Sequence, residues 1–333
     1  MMNYEIFKEV VKEKFLAHMP DEFANHTVVV HPVNKVNETL DGLSLQSPNG
    51  ERRQISPTIY INRMYEDYQK TNDLQSTLDM AAFDMAGAFR AGEQLQPDFN
   101  FEDAKDKVVM ALVNTEQNKE MLKNMPHREF QDLSVIYRYV VSMELQGIAT
   151  IPIKKGIAEM MGMEEEQLFH AAAENTKRLL PPQVRSMNDV IVDMFVKDGM
   201  PKEMVEMFVE EMPQDRLMYV IGNQQGINGA VSMMYEDTLH KLAEELETDL
   251  YILPSSVHEV IAVSTDMGDS NELAQMVSEI NMDQVELCDR LSNQVYHYDK
   301  DLRKLSLATD TPNKRLDGIV AEPNLIYETK QSR

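Results

Sequence analysis

Apolar side chains at Ile6, Phe7, Val10, Val11 and Phe15 recur at helical spacing, and Pro20 closes the run, which predicts an N-terminal amphipathic helix. The pattern then shortens. Residues 27–30, 42–46 and 58–61 are expected as brief strands parted by turn-rich stretches such as Ser47-Pro48-Asn49-Gly50. Helical spacing returns over residues 65–90, with Leu74, Leu78, Ala81, Ala82 and Met85 on one side.

Farther on, residues 107–113 and 133–141 are rich in β-branched and aromatic side chains and predict strands; 149–153 is the expected partner of the second. A short helix over 116–125, closed by Pro126, lies between them. Helices follow over 156–161 and 164–179, the latter with Leu168, Ala171, Ala172 and Leu179 inward and Pro181-Pro182 as its stop. Residues 190–196 and 202–210 are helical in pattern, 216–221 a strand, 222–229 a turn and 230–233 a partner strand. Leu239, Leu242, Ala243 and Leu246 mark a further helix. Residues 250–253 and 257–263 offer no wholly polar face and are expected as buried strands of one sheet. Asp269 and Glu272 then form a capping-box pattern ahead of Leu273, Met276, Val277 and Ile280.

Strands and helices cluster instead of alternating, which predicts an α+β fold with mixed or antiparallel sheets and packed helices. Two sub-domains are expected, 1–125 and 126–310, followed by a loose polar tail over 311–333. Met64-Tyr65-Glu66-Asp67 recurs as Met234-Tyr235-Glu236-Asp237, the kind of trace that a duplicated strand–helix unit would leave.

Charge narrows the partners. The chain carries 32 Lys and Arg against 56 Asp and Glu, a net of −24. Residues 201–300 alone hold 5 basic and 20 acidic side chains, a net of −15. Such a field repels phosphates and anionic lipid, so direct contact with nucleic acid or a membrane is not expected. It suits solvated helix faces, and it suits basic partner surfaces, including those of DNA-binding proteins. The lone cysteine, Cys288, allows no internal disulfide and no Cys cluster for zinc or iron–sulfur, which fits a reducing cytoplasm. No secretory signal pattern opens the chain, and no apolar run is long enough for a membrane helix; Arg138 interrupts the stretch from Val135 to Met143. Trp is absent and Met numbers 25. Met160, Met161, Met163, Met204 and Met207 fall on helical faces, where thioethers serve as core filler or as an adaptable partner surface.

Reactive side-chain types concentrate at Ser255, Ser256, His258 and Glu259, directly after the strand at Leu250–Leu253. In an extended segment Ser256 and His258 share one face while Ser255 and Glu259 share the other, so no nucleophile, base and acid converge within it. These four residues are therefore binding candidates, and no catalytic set is assigned. His258-Glu259 begins like a zinc-protease motif, but Ala262 stands where the second His is needed. His26 and His31 belong on opposite faces of a strand, and His297 with Asp299 makes a pair too small for a metal site. Gly222, Gly226 and Gly229 fit neither the dinucleotide fingerprint nor a phosphate-binding loop; a turn accounts for them. No metal site and no cofactor is expected.

Four ordered stretches, Ile55-Ser56-Pro57-Thr58-Ile59-Tyr60, Gly162 to Leu168 leading to Ala173-Glu174-Asn175-Thr176, Leu250 to Glu259, and Leu291-Ser292-Asn293-Gln294-Val295-Tyr296, together resemble a family from gut clostridia and related Firmicutes catalogued as domain of unknown function 5688. Met161 stands where many relatives carry a tryptophan. The resemblance implies a bacterial, cytoplasmic protein of mobile or accessory gene content, and it carries over no catalytic residues. The expected function is a non-enzymatic protein-interaction or accessory protein with an unidentified protein partner. Two alternatives stand beside it: a hydrolase built around Ser255, Ser256, His258 and Glu259, and an acidic DNA mimic that blocks a DNA-binding protein.

Overall fold

The Asn3 side chain accepts from the Ile6 amide and starts α1 (Tyr4–Lys14), whose Phe7 and Val11 are buried; Phe15 carries the same apolar face into a following 3-10 turn. The computed structural model describes residues 1–48, 57–94, 101–144, 147–210, 218–311 and 314–318. Facing α1 is an antiparallel sheet ordered β1 (Thr27–Asn34), β2 (Thr39–Gln46), β3 (Thr58–Tyr60), followed by α2 (Ile61–Thr71) and α3 (Leu74–Gln94). The helix expected over 65–90 is in fact two. Asn72 adopts the left-handed conformation at φ 52°, and its N–H bonds Tyr68 O, ending α2. Leu43, Leu45, Met64, Tyr68, Leu78 and Met85 complete a core with α1. These elements form one unit, Met1–Asn100.

A second unit begins at Phe101. Its first sheet centres on the long strand β6 (Leu133–Glu144). β4 (Val108–Asn114) lies along one side; β5 (His127–Phe130) and β7 (Gly147–Pro152) share the other, pairing with successive halves of β6. Residues 101–125, grouped by sequence with the N-terminal region, thus supply β4 and the short α4 (Lys119–Leu122) to this second unit, because β4 is fully buried and finds its ladder on β6. α5 (Lys155–Met161) and α6 (Glu165–Leu179) follow.

The second sheet is six-stranded and antiparallel throughout. Its members are β8 (Pro182–Ser186), β9 (Met218–Asn223), β10 (Leu250–Leu253), β11 (Val260–Ser264), β12 (Tyr296–Asp299) and β13 (Lys304–Leu307), in the spatial order β13-β12-β10-β11-β9-β8. α7 (Met187–Lys197) and α8 (Lys202–Glu210) separate β8 from β9; α9 (Glu236–Glu245) precedes β10, and α10 (Ser270–Gln284) follows β11. Ile221, Leu250, Ile252, Val260, Ala262 and Tyr296 point into a core shared with the first sheet, α6 and α9. On the opposite face, Leu253 packs with Ala274 and Val277 of α10, alongside the partly buried Tyr251 and Ile261.

The α+β expectation holds, and 250–253 with 257–263 do contribute neighbouring strands. Pro181-Pro182 stops α6 as expected. The structure adds an element there: Pro182 opens β8, an edge strand where a missing N–H is tolerated. Two further local expectations fail. Residues 230–233 form a buried 3-10 turn instead of a strand, because both edges of β9 are already taken, by β8 and β11. Met64-Tyr65-Glu66-Asp67 lies inside α2, whereas Met234 ends the 3-10 turn and Glu236 begins α9, so the repeat is one of letters and not of structure. The tail is corrected in part. Leu316 is 1% exposed, with its carbonyl accepting from Arg290 at 2.6 Å and its amide donating to Gln117 at 3.2 Å. Residues 312–313 and 319–333, along with Asn49, Gly50, Ile55, Ser56, Arg216 and Leu217, lie outside the described residues.

Candidate functional site

Ser255, Ser256, His258 and Glu259 occupy the link between β10 and β11, which is a loop and not a continuous strand. A second segment holds the loop in place. Ser256 bridges to Arg290, the Val257 amide donates to Asp289 O at 2.8 Å, Leu291 N to Ser255 O at 3.1 Å, and Ser292 N to Pro254 O at 2.9 Å. Two of the stretches that carry the family resemblance are therefore laced together through their backbones.

Within the loop the Ser256 hydroxyl is buried and accepts from the backbone N–H of His258 at 3.0 Å. It closes a local turn, and no bond joins it to the imidazole. The ring itself is held at both nitrogens: Nδ1 accepts from the Asn228 amide at 3.3 Å, which leaves Nε2 to donate to Asp289 Oδ1 at 3.3 Å. An imidazole so occupied has no nitrogen free to take a proton from a serine. The Ser–His–acid relay does not assemble here.

Glu259 is different. It is half-buried and has no hydrogen bond or ion pair among the described residues, and its carboxyl is pushed above the ordinary range by burial, against the pull of His258 and with the push of Asp289. It lines a cleft of about 410 Å³ on the sheet face beside α7. Val220 and Ile261 form the floor, Met187 and Val190 a wall, and Gln183 and Glu259 the polar end. The turn at 222–229 borders it, and at Gly229 the close approach of the backbone requires glycine. A Cβ on Gly229 would stand 2.4 Å from His258 O and 2.7 Å from Asn223 N, so no side chain fits there. The Asn223 amide group ties the turn by donating to Ile227 O at 2.8 Å and accepting from Gln225 N at 3.0 Å.

Of the four sequence candidates, the structure brings His258 and Glu259 to the cleft, while Ser255 and Ser256 belong to the backbone lacing. Sequence reasoning missed Gln183, Met187 and Val190, since β8 reads as nothing more than a helix stop. His297 bonds Asp249 at 3.1 Å and not Asp299, whose carboxylate accepts from the Leu302 amide at 2.7 Å.

The other resemblance stretches have structural tasks. Gly162 takes φ 62° to end α5, and Glu164 with Gln167 forms the capping box of α6. Thr176 accepts from the Met110 amide at 2.9 Å, and Asn175 donates to Val108 O at 3.1 Å, fastening α6 to β4. Ser292 and Tyr296 both donate to Asp132 in the β5–β6 turn, whose carboxyl is raised by burial against those two bonds.

Among the described residues no group of three or more His, Cys, Asp or Glu side chains gathers as a metal site, and no helix is long and apolar enough to cross a membrane. No curated protein and no solved structure matches the chain. The likeness seen in the four stretches extends over nearly all of the sequence: residues 4–300 match the Family of unknown function (DUF5688), and the chain belongs to that family.

Proposed function

We propose that this protein is a non-enzymatic interaction protein whose contact surface is the α7–α8 hairpin and whose partner presents a basic amphipathic helix. The observation that carries this reading is the apolar surface of the hairpin: Met194, Met204, Met207 and Phe208 are 52%, 58%, 68% and 57% exposed. On α8 these side chains occupy one flank, with Val205 and Val209 buried beside them and Glu203 and Glu206 on the other flank. Fully burying a large apolar side chain is worth about 1.5–3 kcal/mol, and each of these four has roughly half of that still to gain. Four of them weigh appreciably against an association cost of about 4–15 kcal/mol.

Charge selects the partner. Asp189, Asp193, Asp198, Glu203, Glu206 and Glu210 outnumber Lys197 and Lys202 in this hairpin, whose α8 opens the acidic stretch of residues 201–300. A Met-lined, acidic surface complements a helix with an apolar stripe flanked by Lys or Arg. A cytoplasmic, accessory role belongs to the same reading and is supported by the single cysteine and the overall acidity.

The test titrates the protein with a synthetic leucine–lysine amphipathic helix and with its leucine–glutamate counterpart, following methionine methyl resonances. Met194, Met204 and Met207 are expected to respond to the basic peptide only, with affinity falling as salt rises. The combined variant Met204→Ser, Met207→Ser, Phe208→Ser should weaken binding about tenfold or more without lowering the melting temperature. Equal binding of both peptides, or binding untouched by the variant, would remove the hairpin from the function.

A further inference from the structure

The strand register explains why the cleft exists. Gln183 pairs with Gly222 and Arg185 with Val220 across β8 and β9; Val220 pairs with Ile261 and Ile221 with Val260 across β9 and β11. Extending the last ladder by one residue sets Glu259 beside Gly222. One row across the sheet face therefore reads Gln183, Gly222, Glu259, and the next reads Arg185, Val220, Ile261. The first row has no side chain at its centre. A Cβ on Gly222 would meet Glu259 Cβ and His258 O at 3.4 Å, an ordinary contact, so the backbone does not demand glycine there as it does at Gly229. What glycine supplies at 222 is the gap itself.

We infer that this cleft binds a primary alkylammonium group, the cationic head on Glu259 and the apolar stem on Val220, Ile261, Met187 and Val190. The charges around the gap favour a cation over an anion. Arg185 is already neutralised, its Nη2 donating to Asp193 at 2.5 Å and to Asp189 O at 3.1 Å. Glu259 has no such partner, and a carboxylate deprived of water gains most from a donor-bearing cation. The floor and wall beside it are apolar, so an ammonium on a hydrocarbon stem satisfies both ends of the cleft where a bare cation satisfies one. A cleft of about 410 Å³ accommodates such a group. Two sources share this chemistry, a free amine and the lysine side chain of another protein. The inference does not depend on what binds the α7–α8 hairpin.

The experiment titrates the full chain with n-hexylammonium chloride, with n-hexanol and with Nα-acetyl-lysine methylamide, following backbone amide resonances. Hexylammonium is expected to give saturable shifts at Gly222, Gly226 and His258, with hexanol binding about tenfold more weakly or worse. Glu259→Gln, close to isosteric, and Gly222→Ala, which narrows the gap, should each lower the affinity about tenfold while keeping a folded spectrum. A lysine derivative that matches hexylammonium assigns the site to a partner's lysine; one that does not bind assigns it to a free amine. Equal binding of hexanol and hexylammonium, shifts confined to other residues, absence of saturable binding, or an affinity unchanged in folded Glu259→Gln would each overturn the inference. The comparison of hexanol with hexylammonium on the unaltered chain decides the matter even if a variant fails to fold.

Discussion

His258 fastens three separate pieces of chain through one ring: the turn that holds Asn228, the 3-10 turn that holds Asp289, and its own loop. Replacing it with Ala removes both bonds, and at about 1 kcal/mol for each the variant is expected to lose roughly 1–2 kcal/mol in urea unfolding. Ser256→Ala, measured beside it, should lose a comparable amount through the broken turn. A broad screen of the parent protein against esters, amides and phosphoesters is expected to be blank. Activity that disappears in both folded variants would instead restore the hydrolase reading. Glu259 gives a prediction with a sign. Its folded-state carboxyl titrates above the ordinary value of 4.5, so the folded chain holds that proton more tightly than the unfolded chain does. The stability this confers is present in full below about pH 4.5 and is lost as pH rises through the folded-state value. Glu259→Gln should therefore melt close to the parent at pH 4 and above it near neutrality. A variant less stable than the parent at pH 7 would show that the carboxylate has a partner after all.

At the scale of elements, long periodic segments were legible from the sequence and short polar ones were not. α1, α6, β6 and the β10–β11 pair follow directly from the spacing of apolar side chains. β5, β12 and β13 span four residues each, too few for a period to show; β5 and β13 pair with their neighbours in sequence, β6 and β12, while β12 owes its place in the sheet to the distant β10. The 3-10 turn at Gly229–Met234 has the apolar composition of a strand, and only the occupied edges of β9 exclude it from the sheet. Alternation within β11 corrects one expectation. The strand was expected to be buried on both faces, yet Ile261 is half-buried at the floor of the cleft, while Val260 is fully buried in the core shared by both sheets. Val260→Asp should cost on the order of 3 kcal/mol or more, because it places an unpaired carboxylate in that core. Ile261→Asp should cost distinctly less. Equal losses in chemical denaturation would contradict the assignment of faces. The candidate site was half legible: His258 and Glu259 stood out by residue type, but the row that sets Gln183 against Gly222 exists only once β8 is paired.

For the molecule as a whole, net charge is a property of sequence alone, and its consequence is testable without knowing a partner. With a net of −24, the chain is expected to leave duplex DNA unshifted in a mobility assay at physiological salt. A salt-sensitive shift would overturn that argument. The family assignment was also legible, because it rests on residues that cap helices, lace loops and fasten α6 to β4, and such tasks leave letters in fixed order. What the letters could not give is the meeting of distant segments, as when Ser292 and Tyr296 reach Asp132. The order β13-β12-β10-β11-β9-β8 carries one more consequence, for the chain as it leaves the ribosome. β8 and β9 are complete long before β11 emerges, and β10, which comes between, does not pair with β9. During that interval the far edge of β9 presents open backbone donors and acceptors to any neighbouring nascent chain. Chains stopped before Val260 are accordingly expected to sediment as aggregates while the full-length protein stays in the supernatant, so that premature termination in this region costs the cell more than the lost copy.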